Sequence, residues 1–209
     1  MPRAPRSRLA PRKRPRQARA RATVEAILEA TARILVRRGW AGTTTNHVAE
    51  CAGVSVGTLY EYFPSKEALV HALVVRHLDE AEARLSALAS GLATEPPSLE
   101  GLVRAIVAAM LELHEAAPRL HRVLFDEVPH PPAIRARVRA IEEAQTDALA
   151  AILPRLADLE EPRVTAQVIV ALLEALAHRW VLTPGADPLP RARMQAELER
   201  LVLGYLAAS

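Results

Sequence analysis

The chain has 209 residues, half of them apolar, with 27 basic residues, 24 acidic residues and one cysteine. This length fits one or two globular domains, the lack of a run of about 18 apolar residues argues against a membrane span, and the lone Cys51 excludes an internal disulfide. Ala, Leu, Glu and Arg dominate while β-branched and aromatic residues are scarce, which favours an all-α fold.

The basic charge is concentrated at the N-terminus. Residues 1–21 contain nine basic residues, four prolines and no acid, so the rest of the chain is net acidic. The prolines prevent a stable isolated helix, and the segment lacks the apolar core of a signal peptide. We therefore expect residues 1–20 to be a disordered arm that meets a polyanion, with nucleic acid as the first candidate and an anionic membrane surface as the second. A solubilising tail is the simplest alternative.

Helical periodicity, interrupted by proline and glycine, predicts nine helices and no strand. Gly39 should end the first helix, Thr44 and Ser55 should cap the second and third, and Pro154 should bend or end the seventh. The predicted spans are approximately 22–38, 45–53, 56–62, 66–89, 99–116, 119–128, 133–157, 163–182 and 190–207.

The second and third predicted helices form a helix-turn-helix. They are short, and Gly53 in the turn between them permits the left-handed conformation that ends a helix. Gly57 costs about 1 kcal/mol in a helix relative to alanine, but it lets another backbone, such as a phosphate strand, come close. The surrounding hydroxyls and Lys66 supply phosphate donors without bulk. The segment 43–66 thus predicts a surface that places one short helix in the major groove of DNA.

Residues 39–69 follow the order G-W-x-x-T-T-T-x-x-V-A-x-x-A-G-V-S-x-G-T-L-Y-x-Y-F-x-S-K-x-x-L. This pattern closely resembles the TetR/AcrR family of bacterial transcription regulators, with Tyr62 where the family often has histidine and Trp40 where it often has tyrosine or phenylalanine. The resemblance implies a homodimer that binds a palindromic operator, usually as a repressor released by a small molecule. By position, the groove-facing residues would be Ser55, Val56, Gly57 and Thr58, and the phosphate contacts Thr43, Thr45, Tyr60, Tyr62 and Lys66.

The expected organisation is a helix-turn-helix domain of three helices over residues 21–66 and a six-helix ligand-binding and dimerisation domain over residues 67–209, joined by the fourth helix. The helices near 163–182 and 190–207 are apolar on more than one face, which indicates deep core or an interface. The family resemblance favours the interface, a four-helix bundle with two helices from each subunit.

The candidate ligand contacts are polar or polarisable residues that recur at four-residue spacing within apolar helices. A buried pair of Glu174 with His178 is the alternative explanation for the most unusual of them. Because the chain is poor in aromatic residues, a pocket should be mostly aliphatic and suit a lipophilic ligand. The candidates are Met110, His114, His121, Phe125, Glu174 and His178.

No pattern in the sequence predicts a metal site, a cofactor or catalytic residues. The expected partners are double-stranded DNA, a second copy of the chain and a small-molecule effector, without a membrane. The expected location is the bacterial cytoplasm, with the nucleoid when DNA is bound. Two alternatives stay open. One is an architectural DNA-binding protein driven by the arm, and the other is an enzyme that uses Glu174 and His178.

Overall fold

The computed structural model describes residues 18–94, 97–182, 185 and 188–208. Within these residues the chain is helical and contains no strand, which confirms the all-α fold class. Most of the predicted arm, residues 1–17, lies outside them. The helices are α1 Ala18–Gly42, α2 Thr45–Ala52, α3 Val56–Tyr62, α4 Lys66–Thr94, α5 Leu99–Glu115, α6 Pro118–Arg122, α7 Pro132–Ile152, α8 Pro162–Ala177 and α9 Arg191–Ala208.

Three helices end in turns of a different pitch. A π-helical turn, Val123–Glu127, follows α6, and a second, His178–Leu182, follows α8. Such wide turns are frequently found at functional sites. A 3₁₀ turn at Leu153–Arg155 ends α7, and this confirms the prediction that Pro154 would interrupt that helix.

The first compact unit contains the described residues up to Asp79 together with Arg119–Pro129. The helix-turn-helix is part of this unit, and α2 packs on both α1 and α3. An ion pair between Arg76 and Glu25 joins α4 to α1 at the edge of the unit. Its core contains Ile27, Leu28, Ala30, Ile34, Val48, Ala49, Leu59, Phe63 and Leu69.

The second compact unit contains the described residues of Glu80–Pro118 and His130–Ser209. In this unit α7 packs on α8, and α5 packs on α9. Its largest fully buried side chains are Leu102, Leu111, Leu153, Ile169 and Leu198. Helix α4 contributes residues 66–79 to the first unit and residues 80–94 to the second. The domain limits drawn from the sequence, 21–66 and 67–209, remain a prediction.

The segment Pro162–Leu182 combines buried and exposed apolar residues. By length and composition alone it could span a membrane, but the core helix of a soluble protein passes the same test. Val164 and Val168 are exposed on α8, and Leu201 is exposed on α9. Some of the apolar residues of α8 and α9 that suggested an interface are therefore exposed to solvent in a single chain.

The turn between α2 and α3 gives a stability prediction. Gly53 has the left-handed φ of 67° and ψ of 31°, and its N–H bonds the carbonyls that end α2. Gly53→Ala should lower the free energy of unfolding by about 1–2 kcal/mol, because an L side chain is strained in that conformation. Gly91→Ala is the matched control. Its added methyl group meets nothing within 4 Å inside α4, so thermal denaturation should show unchanged or increased stability for this variant.

Candidate functional site

Side-chain caps fix the two short helices of the helix-turn-helix. Thr44 precedes α2, and its hydroxyl accepts the N–H of His47 at 3.2 Å. Ser55 precedes α3, and its hydroxyl accepts the N–H of Thr58 at 2.9 Å. Both caps confirm the sequence prediction. Since helices this short are marginal alone, the caps and the packing of Leu59 into the core hold α3 in place.

The first turn of α3 faces solvent. Ser55 and Gly57 are exposed, Val56 is 38% exposed, and Thr58 is half-buried. The hydroxyls of Ser55 and Thr58 lie 2.9 Å apart. This turn thus presents two hydroxyls, one apolar side chain and one bare stretch of backbone to any partner.

Tyr60 and Thr45 form a second polar group beside this turn. Tyr60 is 39% exposed, and its hydroxyl lies 3.1 Å from the hydroxyl of Thr45 on α2. The sequence offered both residues as phosphate contacts, and the fold brings them together from different helices. A phosphate oxygen could accept from either hydroxyl at this position.

Gly57 is not required by packing within the chain. An added Cβ would meet its nearest atom, Ser55 Oγ, at 3.6 Å, which is an ordinary contact. Its backbone is not in the left-handed region, unlike that of Gly53. The structure therefore gives no internal reason for a glycine at this position, although it weakens α3 relative to alanine.

The other three predicted phosphate contacts are engaged in the protein itself. Thr43 is only 1% exposed, and its hydroxyl donates to the carbonyl of Gly39 at 2.7 Å. Tyr62 is half-buried and packs against the core of the first unit. Lys66 donates to the carbonyl of Trp40 at 3.1 Å, although two more of its protons can still reach a partner. Thr43 is therefore engaged inside the protein and is not presented to a phosphate.

Trp40 is the meeting point of three segments of the first unit. The chain turns sharply at Gly39, which has φ 65° and ψ −178°. The N–H of Trp40 then donates to Glu127 Oε2 at 3.0 Å, its carbonyl accepts from Lys66, and Lys66 Nζ lies 3.8 Å from the centre of its indole ring. Trp40 therefore connects the end of α1 to the start of α4 and to the π-helical turn after α6. No local sequence pattern pointed to Glu127, because the contact spans 87 positions.

An apolar cavity of about 70 Å³ lies within the second unit. Of the ligand contacts predicted from the sequence, Met110 lines it. The cavity is far smaller than the roughly 300–1,000 Å³ of pockets that hold drug-sized ligands, so a larger ligand would have to part the helices. Other lining residues are Leu85, Leu88, Ala148, Leu149, Ile169 and Leu173.

His114, also in the second unit, pairs with Glu174. Its Nε2 lies 3.3 Å from Glu174 Oε1, and its Nδ1 lies 3.0 Å from the carbonyl oxygen of Met110. Burial alone would lower the pKa of His114, but the hydrogen bond and charge of Glu174 outweigh it, and the pKa is raised from its ordinary value. The sequence suggested a Glu174–His178 pair from spacing, but the ion pair that forms joins α8 to α5 instead.

The last two ligand candidates, His121 and Phe125, belong to the first unit. His121 Nδ1 lies 3.0 Å from His77 Nε2 on α4, and the rings of His121 and Phe125 have centroids 4.6 Å apart. One histidine must donate and the other accept, so at most one of the two can carry a positive charge while this bond is intact. This contact couples α4 to α6 in the same unit that contains Trp40.

Comparison with known proteins gives one consistent result. Residues 27–73 match the family described as bacterial regulatory proteins, tetR family, and residues 98–206 match the tetracyclin repressor-like C-terminal domain. The chain is 30% identical to the HTH-type transcriptional activator FasR of Mycolicibacterium smegmatis over 158 residues, which is 74% of this chain and 70% of that protein. It is 32% identical to the HTH-type transcriptional repressor KstR2 of Rhodococcus jostii, over 50% of this chain and 49% of that protein.

A solved structure shares the fold at lower identity. The transcriptional regulator FadR from Bacillus subtilis, solved in complex with stearoyl-CoA, is 15% identical, with a TM-score of 0.63 over 88% of this chain and 98% of that chain. A similarity at this level of identity shows a common architecture and no more.

The Trp40 contacts predict that Glu127 stabilises the first unit. Glu127→Ala removes the acceptor of the Trp40 N–H, and we expect the free energy of unfolding to fall by about 1 kcal/mol. Glu127→Gln keeps an acceptor oxygen and should lose less. Glu29→Ala, which removes an exposed carboxylate from α1, is the control in chemical denaturation. Equal effects of Glu127→Ala and Glu29→Ala would show that the Glu127 contact contributes nothing.

Proposed function

The chain belongs to the TetR family of DNA-binding transcriptional regulators, and on that premise we propose that it is a homodimeric repressor of a palindromic operator, released by a small lipophilic ligand. Members of the family are regulators, so an enzyme built on Glu174 and His178 is set aside. The protein would act in the cytoplasm, on its operator in the nucleoid.

The observation that carries the proposal is the exposed first turn of α3. Ser55, Val56, Gly57 and Thr58 would face base edges in the major groove, where Val56 and Thr58 suit the methyl group of thymine. Thr45 and Tyr60 would bind one phosphate, while Tyr62 and the remaining protons of Lys66 would add further backbone contacts. Such contacts position the protein on DNA without reading its sequence.

The basic arm supports a second candidate function. Helix α3 has no Arg, Asn or Gln for bidentate base reading, so part of the affinity would come from the arm in an adjacent minor groove. If the arm supplied most of it, the protein would bind DNA with little sequence preference, as architectural proteins do. Binding to scrambled DNA distinguishes this alternative from a sequence-specific repressor.

A homodimer through α8 and α9 would cover the exposed apolar residues of the second unit. Val164, Val168 and Ala171 recur along the exposed side of α8, and Leu201 and Gly204 do so on α9. Nothing lies within 4 Å of a Cβ added at Gly204, which leaves room for a partner helix. A two-fold dimer would then present two copies of α3 to half-sites about 34–36 Å apart.

The ligand would enter the apolar cavity of the second unit. Leu85 and Leu88 line that cavity and lie on the same helix as Lys66, which holds Trp40. A ligand that parts the helices around the cavity would shift this helix and change the separation of the two α3 helices. Met110 would contact the ligand, and an acyl chain is the first candidate because the lining is aliphatic. The complex of FadR with stearoyl-CoA is consistent with this class of ligand.

Gly57 provides a test in which stability and DNA affinity change in opposite directions. Gly57→Ala should raise the free energy of unfolding by up to about 1 kcal/mol, since alanine favours the helix and fits without a clash. It should also weaken operator binding at least tenfold, because the methyl group would hold the DNA backbone away. Denaturation and fluorescence anisotropy measure the two effects. A stabilised variant with unchanged affinity would remove α3 from the DNA interface.

The proposed function itself is tested on the DNA beside the gene. Fluorescence anisotropy at near-physiological salt would compare that DNA with a scrambled duplex of equal length, and we expect a preference of a hundredfold or more. Stearoyl-CoA should weaken operator binding about tenfold, whereas coenzyme A alone should not. By linkage, the operator must weaken stearoyl-CoA binding by the same factor.

Two variants of α7 give this experiment its control. Ala148 lines the cavity, so Ala148→Leu should reduce the response to stearoyl-CoA and leave operator affinity unchanged. Ala144 is exposed on the same helix and does not line the cavity, so Ala144→Leu should respond like the parent protein. Two results together would favour the architectural alternative: operator and scrambled DNA bind with equal affinity, and removal of residues 1–17 abolishes the binding.

A further inference from the structure

The apolar cavity of the second unit has one polar residue in its lining. This residue is Gln145 on α7, and its side chain is half-buried. The other described residues around the cavity carry aliphatic or thioether side chains, and none of them is charged. An amide side chain can donate two N–H bonds and accept bonds at its oxygen. The polarity of a ligand is therefore constrained at one position of the lining.

The amide of Gln145 is not used by the protein itself. Within the described residues it makes no hydrogen bond, and its nitrogen and oxygen both remain accessible to solvent. Gln195 on α9 is different, because its amide bonds both Arg191 and Glu199. The Gln145 amide is thus available to a ligand that enters the cavity.

The cavity opens on its α4 side. Its lining residues on α8 are buried, among them Ile169 and Leu173, so α8 forms the closed side. The lining residues on α4 are only half-buried, among them Leu85 and Leu88. Gln145 lies on the helix that borders this open side, away from the exposed residues of α8 that we assign to the dimer.

Two arginines hold α4 across the opening. Arg137 of α7 donates to Glu82 at 2.7 Å, and Arg155, in the 3₁₀ turn after α7, donates to the carbonyl of Ala93 at 3.1 Å. These bonds flank the stretch of α4 that lines the cavity, and exposed contacts of this kind contribute little stability. A ligand larger than the cavity would therefore part α4 from α7, which places Gln145 at the opening.

An ionised head group does not suit this opening. Burying a carboxylate without a partner is strongly unfavourable, and the lining offers it no cation. Arg137 is neutralised by Glu82, and Arg155 does not line the cavity. A carbonyl oxygen carries no charge and can accept from the Gln145 amide as it leaves water.

We propose that the ligand of this cavity is a hydrocarbon with one uncharged carbonyl group, as in an ester, thioester or ketone, and that this carbonyl accepts a hydrogen bond from the Gln145 amide. The inference rests on the proposed release by a lipophilic ligand and specifies which lipophiles bind. The hydrocarbon would lie between α4 and α8, and the group beyond the carbonyl would extend towards solvent. A free fatty acid is ionised at neutral pH and would bind poorly.

Isothermal titration calorimetry of the full-length protein without DNA tests this inference. Methyl decanoate and decanoate have the same acyl chain, but only decanoate is charged at neutral pH. We expect methyl decanoate to bind at least tenfold more tightly. Decanoyl-CoA has an uncharged carbonyl and should also bind more tightly than decanoate. If it binds more tightly than methyl decanoate as well, the source of the carbonyl is an acyl thioester.

Substitutions of Gln145 separate the hydrogen bond from a structural role. Gln145→Leu should weaken methyl decanoate binding about fivefold and leave decanoate binding unchanged, because only the ester loses a hydrogen bond. Gln145→Lys should reverse the preference, since an ammonium group pairs with a carboxylate. Ala144→Leu is the matched control, because Ala144 is the exposed neighbour on the same helix and does not line the cavity. It should bind all three compounds as the parent protein does.

Three results would overturn the proposal. The first is an unchanged preference in Gln145→Leu. The second is equal or tighter binding of decanoate that is lost in Arg155→Gln, which would place a charged head group near Arg155 and leave release by a lipophile intact. The third is no binding of any of the compounds, which would also overturn the lipophilic ligand of the proposed function. DNA is absent from the assay, so none of these results bears on operator binding.

Discussion

The bonds at Trp40 hold together the unit on which the proposed function depends. Gly39 turns the chain through a positive φ, and a Cβ at that position would come within 2.8 Å of Glu127 Oε2. Only glycine therefore allows the carboxylate to reach the Trp40 N–H, while Lys66 holds the other side of the same residue. The helix-turn-helix begins just after this point. Its orientation is thus set jointly by the end of α1, the start of α4 and the π-helical turn after α6.

Local features of the fold were predictable from the sequence, because the signals lie within a few residues of their effects. Thr44 and Ser55 cap the helices that they precede, and Gly53 ends α2 in the left-handed conformation. Thr43 shows the limit of this reasoning. Its hydroxyl suits a phosphate, yet it bonds the Gly39 carbonyl inside the protein. A residue type predicts what a side chain can do, and only the packing decides which partner it meets.

Contacts between distant segments were not predictable from one sequence. Spacing along α8 suggested a pair of Glu174 with His178, but the carboxylate lies against His114 on α5. In the same way, Met110 and His114 are one turn apart on α5, yet Met110 lines an apolar cavity and His114 pairs with Glu174. The two helices thus keep a lipophilic region and a charged region side by side in one unit. Charged groups stay out of the cavity because burying them unpaired would cost several kcal/mol.

The π-helical turns at Val123–Glu127 and His178–Leu182 constrain the number of residues in these two segments as well as the residue types. Each turn contains one residue more than an α-helical turn, and each carries a side chain used in a long-range contact. Glu127 in the first turn accepts from the Trp40 N–H, and the ring of His178 in the second packs edge-on against that of His114. Deleting one residue from the first turn would rotate the side chains beyond it by about 100° about the helix axis. Glu127 would then miss Trp40 although every residue of that contact was still present. These two segments should therefore tolerate substitutions far better than insertions or deletions during evolution.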